Sequence, residues 1–198
     1  PALLENAAKQ AGMPVGPLTI MDELSIDLAV GAAANKAREY DDFVPSITVA
    51  TLQKLFDLKR MGKKVGKGFY DWTPEGKSLW TGLQELFPAK PAAAQPPVQD
   101  VKNRILYAQA LNAAGSMERG TLTSPADGDI GSILGVGFPA YLGGPFCMMD
   151  EIGLANFVQE ADRLASLYGE HLRPNALLRD MAAKGETFYG KNARKMAA

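Results

Sequence analysis

Apolar residues fall at Ile105, Ala108, Leu111 and Met117 along the stretch that opens at Val101. Those positions form a helical stripe, and Gly120 marks the end of the segment. Ser124-Pro125-Ala126-Asp127 reads as a helix start. Its serine can cap the first amides, its proline suits the first helical position, and its acid sits at the positive end of the helix. Gly135-Val136-Gly137-Phe138-Pro139 forces a stop. Pro145 opens a long helix with Phe146, Met149, Ile152, Phe157 and Leu164 on one side, running to about Tyr168, and Arg173-Pro174 starts a last helix through Met181. The first half predicts a short helix over Ala2 to Gln10, a long one over Pro17 to Tyr40 and a further one over Pro45 to Arg60. The best strand signal is Gly68-Phe69-Tyr70-Asp71-Trp72, an aromatic run bounded by turn residues, which fits a short hairpin arm. No stretch alternates for long enough to build a sheet. The pattern therefore predicts an all-α chain made of small helical bundles.

The chain repeats itself. Gly16-Pro17-Leu18-Thr19-Ile20-Met21-Asp22-Glu23-Leu24 returns as Gly144-Pro145-Phe146-Cys147-Met148-Met149-Asp150-Glu151-Ile152, an offset of 144 − 16 = 128 residues. A second echo follows each copy, Gly68-Phe69-Tyr70-Asp71 and Thr187-Phe188-Tyr189-Gly190, and Pro1 aligns with Pro125. Two landmarks in the same order indicate a duplicated unit far longer than a solenoid repeat. Pro88, Pro91, Pro96 and Pro97 put four prolines in the ten residues between the copies, so this stretch is expected to be an extended linker. The expected domains are 1–87, a linker at 88–97, and 98–198. The second copy opens with the Val101–Met117 helix, for which the first copy has no counterpart. The first bundle is thus expected to be truncated, its natural start lying about 25 residues before Pro1 and the chain being a fragment.

Composition narrows the function class. With 46% apolar and 22% charged residues the chain can build cores, and a net charge of −1 supplies no basic field for nucleic acid or an anionic membrane. No apolar run approaches the roughly 20 residues of a membrane-spanning helix. The single Cys147 excludes an intrachain disulfide framework, and with no secretory feature the expected compartment is the cytoplasm.

Candidate chemistry is sparse. Gly62-Lys63-Lys64-Val65-Gly66-Lys67-Gly68 has the look of a phosphate-gripping loop, but only three residues separate Gly62 from Gly66 and the continuation is aromatic, not helical. Three readings stay open: a nucleotide loop, a solvated basic turn, and a basic rim that attracts the anionic arm of a substrate such as a coenzyme A phosphate. The last makes Lys64, Lys67 and Phe69 the substrate-binding candidates. Gly131, Gly135 and Gly137 are turn glycines without the strand–helix setting that a dinucleotide-binding fingerprint needs. His171 is the only histidine and has no evident carboxylate partner, and one His with one Cys does not make a zinc site. Asp127-Gly128-Asp129 lacks the remaining ligands of a calcium loop and reads as helix-start charge. Asp22-Glu23 and Asp150-Glu151 admit two accounts: a catalytic carboxylate pair, or acids in the first helical turns, one of which holds a neighbouring loop. Cys147 aligns with Thr19 and reads as a packed thiol. No catalytic, cofactor-binding or metal-binding set is complete.

Taken together, Ser124 through Asp129, Gly135-Val136-Gly137-Phe138-Pro139 and Gly143-Gly144-Pro145 resemble the carboxyl-terminal region of the 3-hydroxyacyl-CoA dehydrogenase family. The likeness is closest to the multifunctional fatty-acid β-oxidation enzymes that fuse this dehydrogenase to an enoyl-CoA hydratase. Asn103-Arg104 is similar to the family's Asn-Arg helix opening, and Met13-Pro14-Val15-Gly16-Pro17 with Asp22 and the Gly62 to Tyr70 turn match the other copy. The resemblance implies a parent enzyme with a nucleotide-binding domain followed by two related helical domains, oxidising the 3-hydroxyl of an acyl-CoA with hydride passing to NAD. It places the catalytic His and Glu in the nucleotide domain, outside this chain, and the substrate-orienting Asn in the segment before Pro1. Asn103 matches that Asn only in the second copy, where a structural role is implied. Single-copy relatives pair through this domain, and the second copy would satisfy the same surface within one chain. Two classes of function follow. One is the substrate-side half of an NAD-dependent dehydrogenase, inactive alone, whose partners are the missing nucleotide domain, acyl-CoA and a thiolase subunit. The other is a non-catalytic helical module that scaffolds partner domains or subunits. Either way, uncovered apolar surface is expected to make the isolated chain self-associate.

Overall fold

A computed structural model describes residues 1–39 and 47–191. Among them ten α-helices follow one another: α1 (Ala2–Gln10), α2 (Pro17–Leu24), α3 (Ile26–Glu39), α4 (Ile47–Asp57), α5 (Leu83–Leu86), α6 (Val98–Glu118), α7 (Pro125–Val136), α8 (Pro145–Ile152), α9 (Leu154–Tyr168) and α10 (Ala176–Lys184). The described strands are β1 (Tyr70–Thr73) and β2 (Gly76–Leu79), an antiparallel hairpin in which Tyr70 faces Leu79 and Trp72 faces Lys77. The fold is all-α, as the periodicity indicates. The strand over Tyr70–Thr73 lies where the aromatic run places it. Its partner Gly-Lys-Ser-Leu has no β-branched or aromatic residue to betray it.

The chain divides into two compact units, Pro1–Asn6 with Val15–Gln95, and Ala7–Pro14 with Pro96–Ala198. In the first, α3, α4, the hairpin and α5 surround Ile26, Leu52, Leu55, Phe69, Tyr70 and Leu83. In the second, α6, α8, α9 and α10 enclose Phe146, Met149, Leu164, Leu172, Leu178 and Met181. There Tyr107 stacks face to face on Phe157 with ring centroids 4.2 Å apart, and Phe146 meets Phe188 edge to face at 4.7 Å. Between the copies, Pro91 and Gln95 have extended backbones flanking one 3₁₀ turn at Ala92–Ala94.

Several boundaries follow the local chemistry foreseen for them. The Ser124 side chain accepts the Asp127 amide at 3.3 Å, Pro125 opens α7, and Gly137 closes it in the left-handed region at φ 71°. Two expected long helices are in fact broken. The helix from Pro17 stops at Leu24 and that from Pro145 stops at Ile152, because Ser25 (φ 83°, ψ 122°) and Gly153 (φ 83°, ψ 126°) turn the backbone out of the helical region. These residues occupy the same repeat position, 153 − 25 = 128. Met61 compensates the break in the first copy: its carbonyl accepts the Ile26 amide at 3.0 Å and the Ser25 hydroxyl at 3.1 Å. The expected end of that helix at Tyr40, and the start of the next at Pro45, lie outside the described residues. α4 finishes at Asp57 and not Arg60, with Lys59 at φ 59°. The last helix starts at Ala176, because Asn175 supplies the cap and accepts the Leu178 amide at 3.2 Å.

Candidate functional site

The basic loop of the first copy is built on one buried acid. Asp22 lies in the middle of α2 and is 1% exposed. Its Oδ1 accepts the Phe69 amide at 2.8 Å, and its Oδ2 accepts the Tyr70 amide and the Trp72 indole N–H, both at 2.9 Å. A carboxylate is the right group here, since it accepts on both oxygens and offers no proton to three converging donors. The chain passes so close that a Cβ on Gly68 would overlap the Asp22 carboxylate, and only glycine fits. Arg60 holds the other side. Its Nε donates to the Gly68 carbonyl at 2.7 Å and its Nη2 to the Asp71 carboxylate at 2.6 Å, while the guanidinium lies 4.0 Å from the centroid of the Trp80 ring.

Lys63 to Lys67 are presented on that frame. Lys63–Val65 form a 3₁₀ turn closed by Gly66 in the left-handed region at φ 71°, and paired backbone bonds link Gly62 to Lys67. The three lysines are exposed. Lys63 meets Glu23 at 3.1 Å and Lys64 meets Asp27 at 2.5 Å, while the Lys67 ammonium has no partner among the described residues. The Lys64 hydrogen bond, aided by the Ser25 hydroxyl, holds the Asp27 carboxyl below its usual range. Lys77 joins the same basic edge, donating to the Thr19 hydroxyl at 2.6 Å and lying 4.5 Å and 4.8 Å from the ring centroids of Tyr70 and Trp72. Of the substrate candidates, Lys64 and Lys67 thus stand on the surface. Phe69 is 5% exposed, a core residue whose amide, not its ring, pins the loop. A nucleotide-gripping loop would aim its amides outward from a helix start. Here the Gly62 and Lys67 amides are spent on one another.

A second acid completes the frame, and both recur in the second copy. Glu5 on α1 accepts the Leu18 amide at 2.7 Å, the Thr19 hydroxyl at 2.8 Å and the Tyr70 hydroxyl at 2.6 Å. Asp129 on α7 accepts the Phe146 amide at 2.7 Å, the Cys147 amide at 3.2 Å and the Tyr189 hydroxyl at 2.8 Å. Asp150 accepts the Phe188 amide at 2.9 Å and the Tyr189 amide at 2.8 Å, as Asp22 does for Phe69 and Tyr70. Asp129 is therefore a buried acceptor joining α7 to the start of α8 and not a helix-start charge; that description suits Asp127 alone. The acid of each Asp-Glu pair that the sequence offered to catalysis, Asp22 or Asp150, is committed to backbone amides. Glu5 was missed and Asp129 was misread, although both are acidic at one repeat position, 129 − 5 = 124, the offset that aligns Pro1 with Pro125.

Burial, with the Glu5 carboxylate beside it, pushes the Tyr70 hydroxyl up to about 12, and Tyr189 is raised in the same way by burial and Asp129. Burial also pushes the Cys147 thiol up to about 11, reinforced by Asp129, which disfavours its thiolate. His171 is exposed on a 3₁₀ turn. Asn103 joins Gln99 at 2.7 Å and Glu160 at 3.0 Å, beside a cluster in which Asp100 takes a two-pronged contact from Arg163 and the Tyr168 hydroxyl. The copies differ at the loop: Glu186 stands two residues before Phe188, where Lys67 precedes Phe69. Among the described residues, the loop of the first copy is the one that carries this basic edge.

Residues 1–72 match the family described as 3-hydroxyacyl-CoA dehydrogenase, C-terminal domain. The chain is 38% identical over 189 residues to the fatty acid oxidation complex subunit alpha of Shewanella amazonensis, covering 94% of this chain and 26% of that protein. The corresponding subunit of Idiomarina loihiensis is 37% identical over 188 residues, with the same shares covered. The chain thus spans about a quarter of the length of these curated relatives. Among solved structures, 3-hydroxybutyryl-CoA dehydrogenase from Escherichia coli K12 superposes with a TM-score of 0.65 at 21% identity, covering 93% of this chain and 55% of that one. The dehydrogenase part of multifunctional enzyme 1 from C. elegans gives 0.64 at 24% identity, covering 91% and 41%. At these identities the structures speak to the fold alone. No helix among the described residues is long and apolar enough to cross a membrane.

Proposed function

We propose that the chain, whose residues 1–72 match the family described as 3-hydroxyacyl-CoA dehydrogenase, C-terminal domain, is the helical, substrate-side part of an NAD-dependent 3-hydroxyacyl-CoA dehydrogenase of fatty-acid oxidation. The observation that carries the proposal is the identity of 38% spread over 94% of the chain, both copies included. In this reading the chain contributes no catalytic acid or base. The hydride acceptor NAD is held elsewhere, by the nucleotide-binding domain of the same polypeptide, and the whole enzyme works in the cytoplasm beside a thiolase subunit.

Within that polypeptide the first unit's task is to hold a rigid cationic edge. Asp22 and Arg60 fix the backbone of Gly68 to Asp71, so Lys64 and Lys67 project from a loop that does not have to be ordered on binding. A coenzyme A phosphate would take Lys67 directly and draw Lys64 from its exposed pairing with Asp27, a contact of the weak surface kind. Phe69 serves by packing, keeping the strand that follows the loop in the core.

The second reading, a non-catalytic scaffold, draws on the commitment of Glu5, Asp22, Asp129 and Asp150 to structural hydrogen bonds. One assay separates the two. NADH-dependent reduction of acetoacetyl-CoA is measured with the purified chain, with and without a separately made nucleotide domain. No turnover alone and rescue on mixing is the expected result. Rescue absent at every ratio would favour the scaffold, and turnover by the chain alone would overturn the assignment of the cofactor site. In the rescued enzyme, Lys67→Ala should raise KM for the CoA substrate with kcat unchanged, an effect that fades at high salt.

A further inference from the structure

The second unit holds an open cavity of about 550 Å³ between the first half of α6, the turn at Ala140–Leu142 and α8. Small-molecule sites occupy about 300–1,000 Å³, so the space suits one. Tyr107 and Met148 are its buried lining, and Leu106, Leu142 and Ile152 are its half-buried apolar sides. Most of its polar groups are committed. Asn103 accepts from Gln99 at 2.7 Å and donates to Glu160 at 3.0 Å, and the Tyr141 hydroxyl donates to the Ala11 carbonyl at 3.1 Å. Glu151 differs: it is exposed at the rim and meets no donor among the described residues.

The repeat shows what this acid lacks. Its twin Glu23, at 151 − 128 = 23, receives the Lys63 ammonium at 3.1 Å. In the second copy the segment before Phe188 offers Lys184, which is paired with Asp180 at 2.9 Å, and the acid Glu186. The second copy thus keeps the carboxylate and loses its cation. The surrounding field has the same sign. Cys147 lines the cavity, and its thiol is raised by burial first and then by Asp129, with Asp150 adding to it. No lysine or arginine stands among the lining residues, so an anionic ligand would meet Glu151 with nothing to offset it.

We propose that this cavity binds a primary alkylamine, its apolar body against Leu106, Leu142 and Ile152 and its ammonium at Glu151. The head takes the place that Lys63 holds in the first copy, and the body covers apolar area that water would otherwise hydrate. An exposed ion pair contributes little by itself. The apolar contact therefore supplies most of the affinity, and Glu151 decides which charge is accepted.

The test titrates hexylammonium chloride, sodium hexanoate and 1-hexanol into the natural polypeptide by calorimetry. The three share one apolar body and differ in the charge of the head. Hexylammonium should bind at one site about tenfold more tightly than hexanoate, attraction and repulsion adding, with hexanol between them. Glu151→Gln should bring the three together, while Glu75→Gln, at an exposed acid between β1 and β2, leaves the order intact. Leu142→Trp adds bulk to an apolar side and should weaken all three. Hexanoate bound as tightly as hexylammonium overturns the proposal, and so does the absence of saturable binding. Hexylammonium binding unchanged by Glu151→Gln places the ammonium elsewhere and overturns it too. Binding that survives in a folded Leu142→Trp protein does the same, and if that variant does not fold, Glu151→Gln decides alone.

Discussion

At the scale of single residues, the structure turns on acids that accept only from the protein. Asp22 serves three donors and is nearly unreachable by water. Asp22→Asn keeps the shape but points an NH₂ at donors, so it should cost about 2–4 kcal/mol, the range for losing charged hydrogen bonds in a buried site. Its exposed neighbour Glu23 gives the control, and Glu23→Gln should stay within about 0.5 kcal/mol. Trp72 and Trp80, the chain's two tryptophans, both lie in the first unit, so urea unfolding followed by their fluorescence reads the comparison. Equal losses for the two variants would refute the assignment. Asp100 supplies a pH signature. The Arg163 hydrogen bond holds its carboxyl below the usual range, so its stabilisation is present above about pH 4 and is lost as pH falls through the folded-state value. Asp150 acts in the opposite sense. Burial raises it, so its contribution is full in acid and declines as pH rises through its folded value. The urea midpoint of the natural chain should therefore fall on acidification in a component that Asp100→Asn abolishes, the two curves converging at the acid end. Curves that stay parallel would count against it.

At the scale of elements, the instructive positions are Ser25 and Gly153, with one backbone geometry and two residue types. Gly153 holds φ 83° without strain, and a Cβ there would meet only the Asn156 amide at 3.6 Å. Gly153→Ala should thus lose about 1–2 kcal/mol through backbone conformation alone. Ser25 bears the strain but offsets it with a hydroxyl whose single proton is shared between the Asp27 carboxylate at 2.5 Å and the Met61 carbonyl at 3.1 Å. Ser25→Ala forfeits those bonds and keeps the strain, whereas Ser25→Gly forfeits them and relieves it. Ser25→Ala should therefore melt lower, by about 1 kcal/mol, and the reverse order in calorimetry would disprove this account. The break also shows what the sequence could reveal. Ser124, Pro125 and Gly137 carry their boundary chemistry in their own side chains and are legible at once. A serine at positive φ is not, because the Met61 carbonyl that stabilises it lies 36 residues away. The candidate site divides along the same line. The lysines of the loop are visible as charge, but Arg60 and Glu5 act through partners 8 to 65 residues distant. Only the repeat, acidic at both 5 and 129, hinted that Glu5 was special.

At the scale of the whole molecule, two cores and two matching carboxylate networks stand beside apolar faces that neither core absorbs. Leu24 and Leu28 border an open groove with Gly31 and Ala32 in the first unit, and Ile130, Leu134 and Val136 are bare in the second. A net charge of −1 offers little repulsion to keep such faces apart. The 198-residue chain by itself should therefore associate, its scattering mass rising above 21.2 kDa with concentration. The α7 face should dominate, since Leu134 is the most exposed of its large apolar residues and its neighbouring glycines let a second helix approach. Ile130→Lys with Leu134→Lys places two charges there and touches no core contact, so it should return the mass to 21.2 kDa without lowering the melting temperature. A chain of 21.2 kDa at every concentration would show that these faces are too small or too divided to drive assembly. Association that survives both lysines would move the adhesive face to Leu24 and Leu28, where Leu28→Lys is the corresponding change.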